Sequence, residues 1–245
     1  MAPAGSVRSS RGRWGIGQVL AQLRADFPTV SISKIRFLEA EGLVTPERTA
    51  SGYRKFSRGD IDRLRYILGS QRDHYLPLKV IREHLDAMDR GLEPAANAGE
   101  PARAPNRSPE LVAESETVGH DVAGIRMSRA ELLANSGLRD EQLTELVGYG
   151  LVEMIPGTEF FDGDALEIAL TLAAMAGYGL EPRHVRTFKT AAERQVGLID
   201  QVTTPYRAQR RGEPHRRAVE VSAHLGQLAV QLHAALVRRG LRRTL

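Results

Sequence analysis

The chain has 245 residues, a formal net charge of +4 and no cysteine, a length that accommodates two small domains and a connector. The missing thiols exclude disulfides, thiolate metal sites and a cysteine nucleophile, which fits a reducing cytoplasm, and no apolar run is long enough to span a bilayer. The modest total charge hides blocks of opposite sign: residues 1–88 hold 15 Lys and Arg against 9 Asp and Glu, residues 121–205 hold 7 against 13, and residues 206–245 hold 9 against 2, so the first block suits a polyanion and the second does not.

Residues 1–13 carry Arg8, Arg11 and Arg13 without an apolar core, which predicts a flexible basic arm and not a signal peptide. Ile16, Val19, Leu20 and Leu23 recur at helical spacing and predict a first helix. After a turn containing Pro28 comes a second, short helix, in which Ile32, Ile35 and Leu38 fall on one side and Ser33, Lys34, Arg36 and Phe37 on or beside the other. An exposed Phe between cations is better explained by a base edge, a sugar or a thymine methyl than by water. Gly42 supplies the left-handed stop. Pro46 forbids helix, and Thr49 to Gly52 reads as the tip of a hairpin between Leu43–Val44 and Tyr53-Arg54-Lys55-Phe56, each face of whose second strand carries one ring and one cation. Ser57 and Asp60 form a near capping box for the next helix, with Ile61, Leu64, Ile67 and Leu68 inward, and a shorter helix opens at Leu76-Pro77-Leu78.

This order resembles the MerR-type winged-helix transcription regulators, whose pattern has a Thr-Leu-Arg-Tyr-Tyr-Glu helix, a Gly-Leu turn and Gly-Tyr-Arg in the wing. Here the corresponding runs are Ser33 to Glu39, then Gly42-Leu43, then Gly52 to Phe56, and the likeness covers residues 16–88. Phe37 lacks the hydroxyl a Tyr would offer to phosphate, and Leu38 replaces the second aromatic. The resemblance implies that Arg36, Phe37, Tyr53 and Arg54 contact DNA. The remainder of the chain looks like an actinobacterial branch of the family, some members of which are linked to cell-division genes.

From Asp89 to His120 the composition turns to Pro, Ala, Gly and Glu, which predicts a flexible linker. Beyond it the first domain is echoed: Gly150-Leu151-Val152 repeats Gly42-Leu43-Val44, Phe161-Asp162 stands for Phe56-Ser57, and Tyr178-Gly179-Leu180 stands for His74-Tyr75-Leu76. A second, degenerate winged-helix-like module is expected over residues 121–204. A basic loop and one long helix, from about Pro214 to Leu241, follow in 205–245, with Ala218, Val221, Leu225, Leu228, Leu232 and Ala235 stepping by threes and fours as a coiled-coil seam.

The expected architecture is therefore mainly α: a winged helix-turn-helix over 14–88, the linker 89–120, the second module and a C-terminal dimerisation helix. The expected DNA-binding residues are Ser31, Ser33, Lys34, Arg36, Phe37, Arg48, Gly52, Tyr53, Arg54 and Lys55, with Arg36 at a base edge or a phosphate beside it in the major groove and Tyr53 and Arg54 on the backbone. Dimerisation is expected through Val221, Leu225, Leu228, Leu232 and Leu236. Glu141, Glu145 and Phe160 are candidates for contact with a protein partner, RNA polymerase or another, or with a small ligand, since the positions of the second module that align with Lys34 and Arg36 carry no cations; a protein is favoured because the module is poor in aromatics for lining a pocket. Asp162 and Asp164 make too few ligands for a metal, no cofactor motif is present, and no phosphate loop or catalytic pair points to an enzyme. The expected function is that of a cytoplasmic, homodimeric regulator on a palindromic promoter site. The alternative is an adaptor whose acidic C-terminal module recruits a protein partner.

Overall fold

A computed structural model describes residues 13–95, 99–105, 124–207 and 213–244, so most of the basic arm, part of the linker and the loop around Arg210 lie outside the described residues. The chain divides into two compact units, Met1–Ala102 and Arg103–Leu245.

In the first unit, α1 (Ile16–Leu23) buries Val19 and Leu23, and the Gly15 N–H at its start donates to Gln18 Oε1 at 2.9 Å. The next helix, α2 (Ile32–Ala40), buries Ile35 and Leu38, and its N-cap Ser31 hydroxyl accepts from the Lys34 N–H. Gly42, at φ 71°, ends it, because a residue without Cβ enters the left-handed region at little cost.

The expected first strand at Leu43–Val44 is displaced. The Leu43 N–H closes the helix end on Leu38 O and both side chains go into the core, so the ladder forms beyond Pro46, between β1 (Glu47–Arg48) and β2 (Arg54–Lys55). Glu47 pairs with Lys55 and Arg48 with Arg54, antiparallel. Trp14 bridges Phe56 on the other side of β2 through two backbone hydrogen bonds, and Phe56 is fully buried.

Ser57 and Asp60 close a full capping box on α3 (Arg58–Asp73). The fourth helix, α4 (Leu78–Asp89), has Pro77 as its N-cap. Arg63 ties the layers together: its Nε donates to Leu43 O at 2.6 Å and its Nη1 to both oxygens of Asp89. Leu92, past the end of α4, is still buried.

The second unit is built from α5 (Arg129–Ser136), α6 (Asp140–Gly148), α7 (Gly163–Ala176), α8 (Pro182–Arg207) and α9 (Glu213–Thr244). Its first part repeats several local bonds of the first unit. Met127 bridges Phe161 as Trp14 bridges Phe56; the Leu151 N–H returns to Leu146 O as Leu43 does to Leu38; Asp162 caps α7 where Ser57 caps α3; and Gly179 takes the positive φ that Tyr75 takes before α4. The wing is reduced to a tight turn, closed by Ile155 N–H on Phe160 O and Thr158 N–H on Ile155 O. From the linker stretch, the Ala104 N–H donates to Asn135 Oδ1 on α5.

The largest surprise is α8, whose 26 residues continue past Pro205, where the sequence suggested a boundary. It packs along α9, and a connection of only residues 208–212 makes the pair a helical hairpin. The side of α9 turned to α8 carries Ala218, Ser222, Leu225 and His233, the last 3.5 Å from Gln195 Nε2. The expected seam therefore splits: Val221 and Leu225 are half-buried, while Leu228, Leu232 and Leu236 stay exposed.

Candidate nucleic-acid interface

The outer face of α2 carries what its spacing promised. Because Ile35 and Leu38 anchor the inner side, Ser33 and Arg36 project outward, and the Arg36 side chain has no hydrogen-bond or ion-pair partner among the described residues. Phe37 is 45% exposed with Lys34 Nζ 5.3 Å from its ring centroid. A cation over an aromatic face is mutually favourable, and here it orders a ring that would otherwise meet water alone. Ser31 is exposed but spends one lone pair on its cap.

The wing tip is a turn closed by the Gly52 N–H on Thr49 O and by the Tyr53 N–H on Thr49 Oγ1 at 3.0 Å. Gly52 sits at φ 81°, a conformation that a Cβ would strain. Tyr53, 72% exposed, stands beyond it, and Lys55 is half-buried with no ion-pair partner among the described residues. Arg13 Nη1 reaches Glu47 Oε2 at 2.8 Å, so the residue preceding the Trp14 bridge is tied to the wing as well.

Arg48 and Arg54 differ from Arg36 and Lys55 in having an ion-pair partner. They sit directly opposite each other in the hairpin, and Glu39, in the last turn of α2, holds both. Its Oε2 accepts from Arg54 Nε at 2.5 Å and its Oε1 from Arg48 Nη2 at 3.4 Å. Arg54 is half-buried and Arg48 exposed. Sequence reading passed over Glu39, whose partners lie 9 and 15 residues further along the chain; the one hint was an acidic residue near the end of an otherwise basic helix.

At the far end of α2, Arg72 braces the α1–α2 connection. Its Nη1 donates to Asp26 O at 2.9 Å and its guanidinium lies 4.8 Å from the Phe27 ring centroid. The hydrogen bond from Arg72 holds the Asp73 carboxyl below its ordinary range. The connection into α2 is thus braced by Arg72, and the end of α2 is tied to the wing through Glu39.

The corresponding surface of the second unit has a different chemistry. Glu141 and Glu145 are exposed on α6 and Phe160 is half-buried beside exposed Glu159. Thr144, which aligns with Arg36 on the shared Gly-Leu-Val turn, accepts from Arg129 Nη2 at 2.6 Å. Arg129 also donates to Asp140 Oδ1, and that bond lowers the Asp140 pKa. Among the described residues no group of three or more His, Cys, Asp or Glu gathers at a point, and no helix is long and apolar enough to cross a membrane.

Comparison with known proteins agrees with this layout. Residues 29–88 match the family described as MerR HTH family regulatory protein, and residues 125–245 match the family described as Rv1828-like, C-terminal domain. The chain is 47% identical over 232 residues to the HTH-type transcriptional regulators Mb1859 of Mycobacterium bovis and Rv1828 of Mycobacterium tuberculosis, covering 93% of this chain and 93% of each relative.

Proposed function

This chain belongs to the MerR family of helix-turn-helix transcription regulators, and from that premise we propose that it binds a palindromic promoter site as a homodimer in the cytoplasm. The observation that carries the reading is the pairing of Arg36, without an ion-pair partner among the described residues, and a half-exposed Phe37 on α2 with the exposed Tyr53 on the flanking wing. A helix entering the major groove presents a guanidinium to a guanine edge and an apolar group to a thymine methyl, while wing residues reach phosphate. Ser33, Lys34 and Lys55 extend the same surface, and Ser31 and Gly52 shape its two ends.

The dimer contact is assigned to the α8–α9 hairpin. Leu228, Leu232 and Leu236 on α9 are exposed, and apolar side chains at that spacing on a surface helix are covered in a helical bundle. A second copy also explains a two-fold operator, since each copy reads one half-site. Glu141 and Glu145 give the second unit a surface that repels a phosphate backbone, so a protein such as RNA polymerase is its expected partner.

Selection from a pool of random duplexes tests the whole reading: the recovered sites should be palindromic with half-sites about one helical turn apart. Retention without sequence preference would favour the adaptor. Leu228→Glu with Leu232→Glu, both at exposed positions, should leave the chain folded and monomeric by sedimentation.

A further inference from the structure

We propose that Glu39 is a positioning residue that masks Arg54 of the wing in the free protein and yields it to a phosphate only when α2 is seated in the groove, so that it sets the discrimination between target and random DNA. This rests on the DNA-binding reading above and deepens it.

The hairpin register sets Arg48 directly across from Arg54, and like charges at opposed positions destabilise a strand pair. The Glu39 carboxylate resolves the conflict by taking one arginine on each oxygen. Its side chain is 15% exposed and that of Arg54 30%, so the bond is partly withdrawn from water, and a charge-assisted bond strengthens as the local dielectric falls.

The second unit supplies an internal comparison. On the Gly-Leu-Val alignment the position of Glu39 is held by Val147, and on the Phe56–Phe161 alignment the positions of Arg54 and Lys55 are held by Glu159 and Phe160. The carboxylate is present where the wing carries arginines and absent where it does not.

A guanidinium already bound to a carboxylate must give up that bond before it takes a phosphate, so a loosely associated duplex gains nothing from Arg54. Once α2 is docked, the nearby backbone repels Glu39 and offers Arg54 a replacement of the same charge. Arg36 and Lys55, which have no such counterion among the described residues, remain available to any duplex.

The test uses the full chain and titrates a short random-sequence duplex and a site recovered by selection, each across a range of salt. Glu39→Gln keeps an oxygen for Arg54 Nε but removes the charge. It should bind random duplex more tightly, steepen its salt slope by about one and lower the ratio of selected to random affinity. Glu39→Asp, which keeps the charge, should move these values less. Unchanged slope and ratio in Glu39→Gln, even with a lower melting temperature, would reduce Glu39 to a structural brace and overturn the proposal. If Glu39→Gln loses its helical circular dichroism, Arg54→Gln carries the test: the selected site should lose affinity and about one unit of slope while random duplex loses neither, and equal losses on both would contradict masking. A wild-type chain that binds neither duplex would instead overturn the DNA reading, and this role with it.

Discussion

The two units run through the same sequence of local events. Each opens with a bridge to a buried Phe (Trp14 to Phe56, Met127 to Phe161). In each, a short helix ends at a Gly of positive φ, a Leu N–H returns to the helix end, and a polar cap starts the following helix. Their outward positions share almost nothing: Arg36 against Thr144, Glu39 against Val147, Arg54 against Glu159. The inward residues and caps specify the layout, and they tolerate nearly any choice on the solvent side. Function in this chain is therefore written at positions that contribute little to stability, and the second unit shows what the layout looks like once those positions carry no phosphate-binding residues.

The strongest way to sharpen that comparison is to break each unit at its matched aromatic. Phe56→Ala and Phe161→Ala should each cost about 3–5 kcal/mol through lost burial and the cavity left behind. Trp14 is the chain's single tryptophan and lies beside Phe56, so its fluorescence follows the first unit. Phe56→Ala should shift the fluorescence transition in urea, whereas Phe161→Ala should shift the circular-dichroism transition and leave fluorescence in place. A fluorescence shift in Phe161→Ala would mean that the units do not unfold separately.

Smaller effects address the outward positions. Arg36→Ala should weaken the selected site by about 1–3 kcal/mol and relax specificity at one position per half-site, read by repeating the selection with the variant. Thr144→Ala, at the aligned position, should change neither affinity nor specificity; a loss there would place the second unit on DNA.

Much of this was legible in the residues themselves. The spacing of Ile35 and Leu38 put Arg36 and Phe37 outside, Ser57 and Asp60 announced the start of α3, and the repeated Gly-Leu-Val marked both turns. These are local signals, settled within a few residues. What stayed hidden depends on distant partners. Nothing local reveals that Glu39 meets Arg54, 15 residues away, or that Leu43 and Val44 enter the core and push the ladder to Glu47. The full extent of α8 was obscured because its apolar positions are interleaved with Thr, Gln and Gly and because Pro205 reads as a break, although a proline in the last turn disturbs few helix bonds. Without α8 in view, the face of α9 turned into the hairpin could not be distinguished from the face left open.

Smaller again are the caps. Ser57→Ala and Asp162→Ala should each cost about 1 kcal/mol, the first seen in the fluorescence transition and the second only in circular dichroism. The smallest effect is the part of the acid-side pH dependence that the Arg129–Asp140 pair adds to the second unit. Arg129 depresses the Asp140 pKa in the folded state, so the stabilisation is present above the unfolded carboxylate pKa and is lost as pH falls through the folded one. Arg129→Gln should flatten that acid limb of the circular-dichroism stability profile and leave the fluorescence profile unchanged.

The central claim is that one unit reads DNA and the other keeps the layout without the reading. Residues 13–102 and residues 103–245, expressed separately and titrated with the selected duplex across salt, test it directly. The account predicts that the first fragment binds with an affinity that falls as salt rises, one term of about 0.9 for each phosphate neutralised, and that the second fragment shows no binding at any salt. Sequence-preferring binding by residues 103–245, or its absence from residues 13–102 while the full chain binds, would contradict it.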